Sequence, residues 1–94
     1  MTAVRVLFIG DIIGRIGRRV VHHLLPSLKA DYGIHVTIAN GENAAGGFGL
    51  TPEIAEELFD SGIDVITSGN HIWYKKEIVP YIDGKRNLIR PLNF

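Results

Sequence analysis

A chain of 94 residues with 46% hydrophobic and 21% charged residues has the composition of a single globular domain and not of a disordered segment. Ten Lys and Arg balance ten Asp and Glu, so a generic nucleic-acid binder held by phosphate contacts is not expected. With no Cys, disulfides, thiolate metal sites and cysteine nucleophiles are excluded, and no apolar run approaches the roughly 20 residues of a membrane span.

The first element is Val4 to Ile9, a β-branched and aromatic run that reads as a buried strand and stops at Gly10-Asp11. That stop comes too early for a signal peptide, and a cytoplasmic protein is the expectation. Arg15 to Tyr32 reads as a helix, with Val20, Val21, Leu24, Leu25 and Leu28 on one face. Pro26 is expected to bend or divide it, and Gly33 to end it. Ile34 to Ala39 reads as a second strand leading into Asn40-Gly41-Glu42-Asn43. The stretch Gly46-Gly47-Phe48-Gly49 reads either as a flap or as a plain connection. Thr51-Pro52 has the chemistry of a helix start, N-cap then first helical residue, and Gly62 marks the end. Ile63 to Thr67 is a third strand ending in Ser68-Gly69-Asn70-His71. Lys75 to Ile82 reads as a short helix interrupted by Pro80, and Asn87 to Ile89 as the start of a fourth strand. Apolar strands alternating with amphipathic helices predict an α/β fold: a parallel βαβαβ sheet with flanking helices, joined by right-handed crossovers, as one domain over residues 1–94.

In an open parallel sheet, ligands gather outside the carboxyl ends of the strands. All three clear strands end in a polar cluster: Gly10-Asp11, Gly41-Glu42-Asn43 and Gly69-Asn70-His71. Asp11 and Glu42 are 31 residues apart, and Glu42 and Asn70 are 28 apart, each close to one βα repeat of roughly 30 residues. Repeats of equal length bring the three clusters to one edge. Singly, Asp11 reads as a helix cap, Asn43 as a turn residue and His71 as a hydrogen-bonded structural histidine. Together they place two carboxylates, two amides and an imidazole in one crevice, where a metal ion is the simplest counter-charge. Carboxylate, amide and imidazole donors without thiolate suit Mn, Fe, Co, Ni or Zn. Glu42 has the reach to bridge a pair of ions, and such pairs, roughly 3.5–4 Å apart, recur in phosphatases and nucleases.

These motifs resemble the calcineurin-like metallophosphoesterases. The commoner pattern there is Asp-x-His, then Gly-Asp, then Gly-Asn-His followed by an acid. Ile13, Glu42 and Ile72 depart from it, and those departures match the YmdB-like bacterial subfamily. Phe8-Ile9-Gly10-Asp11, Asn40-Gly41-Glu42-Asn43-Ala44-Ala45, Trp73-Tyr74-Lys75-Lys76-Glu77 and Arg90-Pro91 resemble it as well. The resemblance implies that Asp11 ligates one metal, Glu42 bridges two, and Asn70 ligates the second. It implies that Asn43 contacts the phosphate or its attacking water and that His71 acts as general acid. The implied cofactors are two divalent or mixed-valence ions, iron or manganese with zinc as a further choice. The implied reaction is hydrolysis of phosphodiesters such as 2′,3′-cyclic AMP. The implied fold is the amino-terminal half of a four-layer αββα sandwich, whose second half adds three histidine ligands. One apolar sheet face is then expected to lie open here, and the chain to form a homo-oligomer or to need that second half.

Three further features carry weaker signals. His22, His23 and His35 read as ordinary surface or half-buried residues; neighbours on a helix point in different directions, which argues against a shared ion. Gly10, Gly14 and Gly17 after a strand suggest a non-catalytic nucleotide-binding module, although the dinucleotide spacing is not met. Trp73 and Tyr74 are placed to stack on a base or to pack as core or rim residues.

Overall fold

The computed structural model describes residues 3–46, 49–69, 71–72, 75–84 and 87–90. Strand β1 (Val6–Asp11) leads to helix α1 (Gly14–Tyr32), then β2 (Val36–Asn40), α2 (Pro52–Asp60), β3 (Val65–Thr67) and α3 (Ile78–Gly84). The sheet order is β1-β2-β3, and both pairings are parallel. Leu88 bridges to Ile66 in the same sense, with Ile66 N donating to Asn87 O and Ile89 N to Ile66 O. The expected fourth strand is therefore a single bridge among the described residues.

Pro26 and Pro80 both sit inside helices. Pro26 has no N–H to give to His22 O, yet it does not divide α1, which runs through it without a gap; Val21 and Leu25, in the turn before it, are anchored in the core. Pro80 falls in the first turn of α3, where a missing N–H costs nothing. The stops and starts read from turn chemistry stand. Gly33 takes a left-handed conformation with φ 61° and donates to Lys29 O. Thr51 Oγ1 accepts from Ile54 N at 3.3 Å and Pro52 opens α2.

With strands in sequence order and right-handed crossovers, the helices fall on one face of the sheet. Val21 and Leu25 of α1, Ala55 and Leu58 of α2, and Ile78 and Ile82 of α3 join Ala39 and Ile66 in one buried cluster, with Leu7 and Ile9 packed against it. Residues that pair across parallel strands share a face. Val6 lies beside Val36, and Phe8 beside Ile38, which in turn lies beside Val65. This second row is apolar and no helix of the described residues covers it: Val6 is 53% and Phe8 63% exposed. The open apolar face expected from the sequence is present.

The same register sets the site. Asp11, Asn40 and Thr67 lie side by side at the carboxyl ends of their strands, after a shift in β1 between Ile9 and Asp11. Asp11 thus belongs to the strand and does not follow it.

Candidate active site

The loop after β2 carries the centre of the site. Asn40 folds back on it: its Oδ1 accepts from Glu42 N at 3.2 Å and its Nδ2 donates to Glu42 Oε1 at 3.4 Å. This turn directs the Glu42 carboxylate toward the end of β3. There Glu42 Oε2 accepts from His71 N at 3.0 Å. Asn43, which is buried, bridges the other two strand ends. Its Nδ2 donates to Asp11 Oδ2 at 2.9 Å, and its Oδ1 lies 2.5 Å from His71 Nδ1. The loop backbone is tied down as well, since Gly14 N donates to Asn43 O at 3.1 Å and Arg18 Nη1 to Ala44 O at 2.6 Å.

The partners of Asn43 set the orientation of its amide. An ionised carboxylate only accepts, so the Asn43 amide must turn its NH₂ to Asp11. Its oxygen then faces His71, so His71 must carry a proton on Nδ1. Glu42 Oε2 lies 3.9 Å from that nitrogen. Among the described residues, Asn43 Nδ2 donates to Asp11 alone.

Asp11, Glu42, Asn43 and His71 therefore converge as the sequence predicts. Asn70, Trp73, Tyr74 and the centre of the Gly46–Gly49 stretch lie outside the described residues. Among the described residues, no three His, Cys, Asp or Glu side chains are grouped closely enough to hold a metal by themselves.

The glycine before each polar group meets different surroundings at each strand end. A side chain at Gly10 would meet nothing within 4 Å, one at Gly41 would strike Ile66 Cγ2 in the core at 2.8 Å, and one at Gly69 would strike the Glu42 carboxylate at 2.6 Å. Gly69 thus forms a cradle for Glu42. In Gly69→Ala the methyl group must displace a carboxylate held by two hydrogen bonds. The expected result in a urea titration is a stability cost of about 1–3 kcal/mol; Gly10→Ala should shift stability by less than about 0.5 kcal/mol in the same titration. Gly17 serves packing, because a Cβ there would lie 3.2 Å from Ile12 Cγ2, and this accounts for a glycine of the dinucleotide-like spacing. Asn40 and Arg18 were not singled out from the sequence. An Asn at a strand end before Gly is the signal for the first, whereas only the fold brings Arg18 to the loop.

The histidines outside the site behave mostly as expected. His35 Nδ1 accepts from Arg5 N at 2.9 Å just before β2. His22 and His23 are exposed, but they do not diverge: their ring centroids lie 5.7 Å apart, edge to face, and both border one cleft. Two rotatable bonds per side chain bring the rings together despite the turn between their Cα atoms.

The family model for YmdB-like proteins matches residues 7–94. A 2′,3′-cyclic-nucleotide 2′-phosphodiesterase of Bacillus subtilis (strain 168) is 56% identical over 90 residues, covering 96% of this chain and 34% of that protein. The crystal structure of a Mycoplasma pneumoniae phosphatase superposes with a TM-score of 0.93 at 36% identity, over 98% of this chain and 33% of that one. A Thermus thermophilus protein of known structure gives 0.87 at 41% identity, over 97% and 35%. The chain spans about a third of the length of the relatives it matches. Together, the family match and the strand-end cluster show that the chain belongs to the YmdB-like family.

Proposed function

We propose that this chain supplies half of the active site of a metal-dependent phosphodiesterase that opens cyclic nucleotides, with 2′,3′-cyclic AMP as its characteristic substrate. The observation that carries the reading is the hydrogen-bonded series Asp11–Asn43–His71–Glu42 across three strand ends. The similarity to the Bacillus subtilis 2′,3′-cyclic-nucleotide 2′-phosphodiesterase supplies the substrate class.

The donors suit a metal. Asp11 offers an exposed carboxylate at the strand end, and the Glu42 carboxylate rests in a space that exists only because residue 69 has no side chain. Asp11, Glu42 and Asn70 would hold two ions, iron or manganese, with zinc as the further choice. When bound, the ions supply positive charge that polarises the phosphoryl group and acidifies water. The chain's own residues do the rest. Asp11 orients the Asn43 amide, and that amide holds the His71 ring by Nδ1. The remaining N–H of Asn43 faces phosphoryl oxygen. His71, held through Nδ1 by Asn43 Oδ1, passes the Nε2 proton to the departing ribose oxygen. A further layer of the domain packs on the open sheet face and brings the remaining ligands.

The test is hydrolysis of 2′,3′-cyclic AMP by the full-length protein, with the product identified by phosphorus NMR. The expected product is adenosine 3′-monophosphate, its formation abolished by a chelator and restored by manganese. Hydrolysis that survives complete chelation, or none with any metal, overturns the reading.

A further inference from the structure

Among the described residues, basic side chains gather on α1. Arg15, Arg18, Arg19 and His22 recur at three- and four-residue intervals and share one face of α1. With His23, and with Glu57 from α2, they line a cleft of about 410 Å³. The chain as a whole has no net charge, so this is a local concentration and not a general basic surface. Glu57 is the cleft's carboxylate, and Arg18 Nε already pairs with it at 2.9 Å. Arg15 and Arg19 are exposed and make no hydrogen bond or ion pair among the described residues. They stand about 6 Å apart along the helix axis, and like charges four residues apart repel. An anion between them would relieve that repulsion and accept their planar donors in pairs.

The cleft also adjoins the active site. Arg18 reaches from it to Ala44 O, next to Asn43, and Gly14, the residue before Arg15, donates to Asn43 O. Its near end is built on the loop that holds the catalytic cluster.

We infer that the α1–α2 cleft is a second anion subsite, holding a phosphate of the substrate other than the one hydrolysed. The preferred substrate is then a nucleotide with at least two phosphate groups, such as a short oligonucleotide ending in a cyclic phosphate, and not the bare mononucleotide. This deepens the phosphodiesterase reading and rests on it for the nucleotide.

Calorimetric titration of the full-length protein with adenosine 3′,5′-bisphosphate and adenosine 3′-monophosphate tests it. The bisphosphate should bind about tenfold or more tightly. Arg15→Glu with Arg19→Glu should remove that difference and leave the monophosphate within about twofold. Arg15→Gln with Arg19→Gln should do the same, which separates the subsite from any effect of charge reversal on folding. Equal affinities in the unaltered protein, or a preference that survives both double variants, overturns the subsite. Inorganic triphosphate is the third ligand. If it binds as tightly as the bisphosphate and is lost in the same variants, the subsite takes free polyphosphate and the nucleotide assignment falls. Bisphosphate preference without hydrolysis of any cyclic phosphodiester leaves the subsite standing and removes the phosphodiesterase reading. Hydrolysis without that preference does the reverse.

Discussion

Alanine in place of His71 is expected to lower turnover by about 10²–10⁴-fold while most of the metal stays bound. The ring's proposed work is to hand a proton to the leaving oxygen, and its place is secured by Asn43 Oδ1 on one side and by the Glu42 bond to its backbone on the other. The backbone bond survives the substitution, so the loop and the Glu42 carboxylate keep their positions. Glu42→Ala should behave differently. It removes the proposed bridge between the ions and the acceptor for His71 N, so metal and activity are lost together. Metal analysis and single-turnover rates on the two variants separate the roles. If His71→Ala empties the site and Glu42→Ala leaves it full, the assignments are wrong.

The second large effect concerns the 94-residue chain by itself. A parallel sheet is stable in water when both faces are covered, and here Val6, Phe8, Val36, Ile38 and Val65 form an apolar face without a helix over it. Burying a side chain the size of Phe8 contributes about 1.5–3 kcal/mol, so several such residues favour contact with any matching surface. The isolated chain should therefore associate with itself in sedimentation experiments, and Phe8→Lys should reduce that association. With only part of the ligand set it should hold metal weakly and turn over little cyclic nucleotide. A stable monomer with two tightly held ions and full activity would contradict this.

The parts of this molecule legible in its sequence are those set by local chemistry. The Thr51-Pro52 start, the Gly33 stop and the three polar strand ends needed no knowledge of packing. Strand beginnings were read about two residues early at Val4 and Ile34, because β-propensity extends beyond the ladder, which opens only at Val6 beside Val36. Pro26 does not divide α1 and Pro80 does not interrupt α3, for a related reason. A proline penalises a helix interior, but core anchoring outweighs it at Pro26 and position within the first turn removes it at Pro80. The site shows the same division. Asp11, Glu42, Asn43 and His71 were visible as a set. The Asn43 bridge, the Gly69 cradle and the Arg18 tether depend on which strand ends lie opposite one another, and no short stretch of sequence encodes that.

The most direct measurement of the central claim is an anomalous difference map from crystals of the full-length protein grown with manganese. Two peaks are expected at the carboxyl ends of the strands, among Asp11, Glu42 and Asn70. A map from fully active protein with no peak at these residues would contradict it.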